Sequence, residues 1–111
     1  PRLAGRSAAL KLLLTGAIVD AREALRIGLV DEVVAADQLM TRAESLALEI
    51  CACAPLALGN VLRVVDAGLD QPLEAGLALE SEAFGRLAAT ADFAEGTRAF
   101  LEKRAPAWKN E

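Results

Sequence analysis

Histidine is absent from the 111 residues. Its absence removes Ser-His-Asp and Cys-His nucleophilic catalysis, and with them the commonest transition-metal ligand. Tyrosine is absent too, and the aromatic side chains come down to Phe84, Phe93, Phe100 and Trp108. Positive charge is in deficit: 12 Lys and Arg against 16 Asp and Glu leave a net charge of −4. Without a basic field a helical DNA-binding module is disfavoured, and no nucleic-acid partner is expected. No apolar run reaches the ~18–20 residues of a membrane span, so no membrane partner is expected. The N-terminal Pro1-Arg2-Leu3-Ala4-Gly5 has no hydrophobic core of a secretory leader. The glycines are scattered, with no phosphate-cradling loop among them. Only two cysteines occur, Cys51 and Cys53. Two residues apart in a helical stretch, they suit neither a local disulfide nor a zinc site, and they read as buried or half-buried thiols in a reducing, cytoplasmic setting.

What is present is aliphatic. The chain is 54% hydrophobic, above the ~45–50% of ordinary soluble domains. Ala and Leu supply much of the excess, which favours helix. One small domain of this make-up has more apolar surface than it can hide, so part of it is expected to pack on another region or another subunit.

Punctuation along the chain divides it into helices. A first helix is predicted from about Leu3 to Leu14, ended by Gly16. Asp20-Ala21-Arg22-Glu23 has the spacing of a capping box and opens a short helix closed by Gly28. Leu29-Val30-Asp31-Glu32-Val33-Val34 reads as a short extended segment or edge strand. Asp37 can cap a helix carrying Leu39, Ala43, Leu46, Ala47 and Ile50 at helical spacing. Pro55 suits the first turn of the next, whose apolar stripe is Leu58, Val61, Leu62, Val65 and Leu69. Pro72 starts another, with Leu73, Leu77, Phe84, Leu87 and Ala88 along it. Thr90 caps the last, which bears Phe93, Thr97, Phe100 and Leu101 and is stopped by Pro106. The expectation is a mainly α chain with one short strand, which by itself names no function.

Candidate chemistry is sparse. Glu80 and Glu82 lie two apart on a helix and point to different faces, so they cannot share a substrate. Asp92 and Glu95 fall in a first helical turn, where they favour the helix dipole rather than proton transfer. Cys51 has no partnering base. Phe100 and Lys103 remain: three apart, they share a helix face, and an aromatic plate beside a cation suits an adenine ring with a nearby phosphate. From the residues alone, Phe100 as a core side chain and Lys103 as a solvated charge at a helix end is the simpler reading.

Several stretches taken together resemble the enoyl-CoA hydratase/isomerase (crotonase) family, and in particular its carboxy-terminal part. These are Pro1-Arg2-Leu3-Ala4-Gly5-Arg6; Leu12-Leu13-Leu14-Thr15-Gly16 followed by Ala21-Arg22-Glu23-Ala24 and Gly28-Leu29-Val30-Asp31-Glu32-Val33-Val34; Ala54-Pro55-Leu56-Ala57; and Asp92-Phe93-Ala94-Glu95-Gly96 followed by Ala99-Phe100-Leu101-Glu102-Lys103-Arg104. Order and spacing fit along essentially the whole chain. The resemblance implies the helical carboxy-terminal region of a crotonase-like fold: residues 1–35 as the end of the core, and residues 36–111 as a helical region for oligomerisation and CoA contact.

The resemblance also implies a chemistry for the full-length protein. An acyl-CoA thioester is bound, two backbone N–H groups stabilise its enolate oxyanion, and in hydratases two glutamates act as acid and base. Those groups lie before the position matching Pro1, so no catalytic residue is assigned, Glu23 and Glu32 do not match them, and the chain alone is expected to be inactive. No metal site is implied, and no cofactor beyond coenzyme A as part of the substrate. The family's ending places a Phe and a Lys, here Phe100 and Lys103, at the adenine and phosphate end of a CoA held by a neighbouring subunit. A homo-oligomer, trimer or hexamer, is implied as well. The alternative is a stand-alone, non-catalytic helical interaction module that keeps the family's helices without its chemistry.

Overall fold

The computed structural model describes all residues, 1–111. Six α-helices follow one another: α1 (Gly5–Thr15), α2 (Ala21–Arg26), α3 (Leu39–Cys51), α4 (Pro55–Leu69), α5 (Leu73–Ala88) and α6 (Ala91–Glu102), with a 3₁₀ turn at Ala36–Gln38 ahead of α3. No helix is long and apolar enough to cross a membrane. The chain divides within α3 into two compact units, Pro1–Glu44 and Ser45–Glu111.

In the first unit local chemistry sets the helix ends. Gly16 takes the left-handed conformation at φ 63° and donates its N–H to the Leu12 carbonyl at 2.9 Å, closing α1. Asp20 caps α2, its carboxylate accepting from the Glu23 N–H at 2.8 Å. The second half of the capping box does not form. Instead the Glu23 carboxylate takes two N–H groups of Arg26, each at 2.6 Å, and this pairing holds its pKa below the usual range. Gly28, at φ 70°, lets the chain turn so that the Leu29 N–H reaches the Ala24 carbonyl.

Residues 29–34 do not form the expected strand. They run as bends and extended backbone without ladder partners. The reason is physical: a strand exists only against another strand, and every other regular element of this chain is helical. What fixes the segment instead is Glu32, whose carboxylate accepts from Arg42 at 2.6 and 2.7 Å. Asp37 does not cap α3 either; it lies inside the 3₁₀ turn, which begins after Ala35 without a side-chain cap.

The second unit is built on a helical hairpin. Pro55 occupies the first turn of α4, where its missing N–H costs nothing. Asp70 and Gln71 then lead to Pro72, which stands at the start of α5. The two helices meet at Gly68 and Gly76: a Cβ on Gly76 would lie 3.6 Å from both the Gly68 Cα and its carbonyl oxygen, so the backbones are in near contact. Thr90 caps α6, accepting from the Phe93 N–H at 3.1 Å. Phe84 of α5 meets Phe93 of α6 edge to face, centroids 5.9 Å apart. Helix α6 stops at Glu102, short of Pro106, because Lys103 adopts the left-handed conformation.

Little is buried. The buried hydrophobic residues are four alanines, Ala9, Ala24, Ala83 and Ala99, while Val61, Leu62, Val65, Leu69, Leu73 and Leu77 stay exposed. Cys51 and Cys53 are exposed as well, not buried or half-buried as expected, because they lie at the end of α3 and in the turn after it. These exposed leucines and valines are the structural counterpart of the aliphatic composition.

Candidate functional site

Helix α6 and the tail after it form the most organised polar structure in the chain. Asp92, in the first turn of α6, is buried at 2% exposure. Its two carboxylate oxygens accept the backbone N–H groups of Lys109 at 2.7 Å and Asn110 at 3.0 Å, and its own N–H donates to the Glu111 carbonyl. One turn on, Glu95 accepts two bonds from the Arg104 guanidinium, at 2.6 and 3.1 Å, and one from the Ala107 N–H at 3.0 Å. The Arg104 pairing first, and the Ala107 bond second, hold the Glu95 carboxyl at a pKa of about 2. Arg104 also donates to Glu102 at 2.6 Å, and both partners raise its pKa. One further residue along, Gly96 makes room for the Trp108 ring, which a Cβ there would meet at 3.1–3.2 Å. The indole N–H closes the arrangement by donating to the Ala52 carbonyl at 2.7 Å. Asp92, Glu95 and Gly96 thus lay the tail back along α6. Their proximity in sequence marked a helix start; the tail contact was not foreseen.

This arrangement shapes a hollow lined by Leu56 and Ala57 of α4, Phe84 and Leu87 of α5, Phe93, Gly96, Thr97 and Phe100 of α6, and Trp108 of the tail. Phe100 is 83% exposed, so it is not the core residue that the simpler reading made it. Lys103 follows directly, its N–H on the Phe100 carbonyl at 3.2 Å. Its backbone is left-handed at φ 52°, ψ 41°, a conformation that favours glycine. Its ammonium forms no ion pair within the chain, and it stands beside the hollow rather than among its lining residues. The structure therefore brings Phe100 and Lys103 together through one helical stop.

Glu23 and Glu32 are each tied to an arginine that lowers the pKa, the wrong direction for a general acid at neutral pH. A hollow between α1 and α2 carries Lys11, Glu23 and Arg26, two of which neutralise each other. No cluster of His, Cys, Asp and Glu is arranged to hold a metal ion.

The sequence profile of enoyl-CoA hydratase/isomerase matches residues 1–111. The chain belongs to the enoyl-CoA hydratase/isomerase family. Among its relatives, the (E)-benzylidenesuccinyl-CoA hydratase of Thauera aromatica is 41% identical over 109 residues, 98% of this chain and 43% of that protein. The short-chain-enoyl-CoA hydratase of Clostridium acetobutylicum is 40% identical over 103 residues, 93% of this chain and 40% of the relative. The crystal structure of an enoyl-CoA hydratase from Bacillus anthracis superposes with a TM-score of 0.94 at 36% identity, covering 100% of this chain and 43% of that one. The chain thus spans about two-fifths of the length of the relatives it matches, their carboxy-terminal part. In enoyl-CoA hydratase/isomerase terms, the helices described above are the helical carboxy-terminal region of a crotonase-like fold.

Proposed function

We propose that this chain serves an acyl-CoA hydratase or isomerase by holding the nucleotide end of coenzyme A and by packing subunits together, while the chemistry on the thioester is done by residues outside it. The observation that carries the reading is the pair at the end of α6: Phe100, 83% exposed, followed by an unpaired Lys103 in a fixed left-handed stop. An aromatic face and a cation one turn apart match the adenine and a phosphate of the coenzyme. Site residues are Phe100 and Lys103, with none catalytic and no metal. The acyl-CoA substrate brings its own coenzyme, so no further cofactor is required. The large exposed aliphatic surface supports the second role, in a trimer or hexamer of the full-length protein. The free thiols of Cys51 and Cys53 suit a cytoplasmic setting.

In the full-length protein Lys103→Ala is expected to raise KM for acyl-CoA about tenfold, since a charge-assisted contact to a partly exposed phosphate is worth ~1–2 kcal/mol. An acyl-pantetheine, which lacks the nucleotide, should not sense the change. Equal losses with both substrates would make Lys103 structural and defeat the reading. The 111-residue chain alone should not hydrate crotonyl-CoA, because the acid and base positions that the resemblance implies lie before the position matching Pro1.

A further inference from the structure

We propose that Glu95, acting through Arg104, is a positioning residue for Lys103, an inference that rests on the coenzyme-contact reading above. The starting point is the backbone outlier. Lys103 sits at φ 52° where glycine is the usual occupant, and such a conformation persists in a side-chain-bearing residue only when its surroundings hold it. Two bonds of the helix stop do part of this: the Lys103 N–H on the Phe100 carbonyl and the Arg104 N–H on the Ala99 carbonyl at 3.0 Å. The remainder comes from the next residue. The Arg104 side chain is gripped by Glu95 and Glu102, so the peptide that follows Lys103 is anchored back onto α6. Glu95 also holds the Ala107 N–H, which fixes the far side of the same turn.

Charge leads to the same residue. Glu102 adjoins this stop and Glu95 lies earlier on the same helix, and a carboxylate is the ordinary partner of a lysine ammonium. Arg104 takes both. Lys103 forms no ion pair of its own and is available to an anion from outside the chain. Glu95 therefore sets the backbone of Lys103 without itself touching a ligand.

The test uses the dissociation constants for coenzyme A and for pantetheine in the full-length protein, with Lys103→Ala, Glu95→Gln and the double variant. The amide shifts of Lys103 in the same proteins report its backbone. Glu95→Gln is expected to displace those shifts and to weaken coenzyme A several-fold, leaving pantetheine unaffected; the double variant should bind no more weakly than Lys103→Ala. Unchanged Lys103 shifts, or equal losses for coenzyme A and pantetheine, or losses from the two variants that simply add, would overturn the positioning role while leaving Lys103 as a contact. If Lys103→Ala itself leaves coenzyme A binding unchanged, the contact reading fails and the positioning role fails with it.

Discussion

The two units hold themselves together by different means. In Pro1–Glu44 the bonds outside the helices are local: Gly16 to Leu12, Glu23 to Asp20, Leu29 to Ala24, with Glu32–Arg42 the longest reach described. In Ser45–Glu111 local bonds such as Phe93 to Thr90 and Arg104 to Glu102 are joined by polar bonds that span 12 to 56 residues, from Ala107–Glu95 to Trp108–Ala52. Local bonds shape a helix end without deciding what the helix packs on. Long-range bonds fix tertiary structure, and the second unit carries them although its apolar core is as thin as the first unit's. Tertiary definition there comes from buried polar geometry centred on Asp92 more than from buried aliphatic area.

That contrast can be broken by experiment. The largest effect should come from Asp92→Ala. It removes two hydrogen bonds to a carboxylate and strands the Lys109 and Asn110 N–H groups, about 3 kcal/mol against tail docking. Trp108 is the only tryptophan, so release should shift its emission to the red, and amide exchange at residues 109 and 110 should quicken. Next comes Asp20→Ala in the first unit, expected to cost about 1 kcal/mol and to fray α2 alone, read by exchange at Glu23. If both substitutions cost the same and each stays local, the distinction between the units is wrong.

A smaller pair sharpens the picture by sign. Gly76→Ala places its Cβ at ordinary contact distance, 3.6 Å from Gly68, and should stabilise α5 by up to ~1 kcal/mol in thermal unfolding. Gly96→Ala gains the same helix propensity but drives a Cβ to 3.1 Å from the Trp108 ring, so it should give a net loss with a change in tryptophan emission. The mildest effect is that of acid. The Glu95 pKa is depressed to about 2 in the folded chain, so its contribution is present above the ordinary value of 4.5 and is lost as pH falls from there toward 2. Tryptophan emission should follow that descent, and Glu95→Gln should abolish the dependence.

How much was legible in the sequence follows the same division. Asp20 and Thr90 as caps, and Gly16 and Gly28 as stops, could be read because each acts on backbone within a few residues. The family could be read because its motifs run in order along the chain. Residues 29–34 were misread because β-branched composition reports a preference, whereas a ladder needs a partner that this chain does not supply. Asp37 was misplaced because a 3₁₀ turn intervenes before α3. Cys51 and Cys53 were misjudged because small apolar neighbours do not guarantee cover at a helix end. Asp92 and Glu95 were seen only as dipole partners, since nothing local signals that a tail 12 to 18 residues away will return to them. Phe100 and Lys103 were singled out by spacing, but the left-handed backbone between ring and ammonium has no sequence signal when the residue is not glycine.

The near contact of Gly68 with Gly76 has a consequence for the apolar groove along the α4–α5 hairpin. The groove is walled by Val61, Val65, Leu73 and Leu77, while the two glycines set the spacing of the helices that carry them. Side-chain volume at positions 68 and 76 acts as a shim: a single Cβ fits at ordinary contact distance, whereas a larger side chain would lever the helices apart and widen the groove without altering any group on its walls. Two positions bearing no side chain thus tune the fit of whatever lies against the hairpin, and substitutions there would loosen or tighten that fit while leaving its chemical character intact.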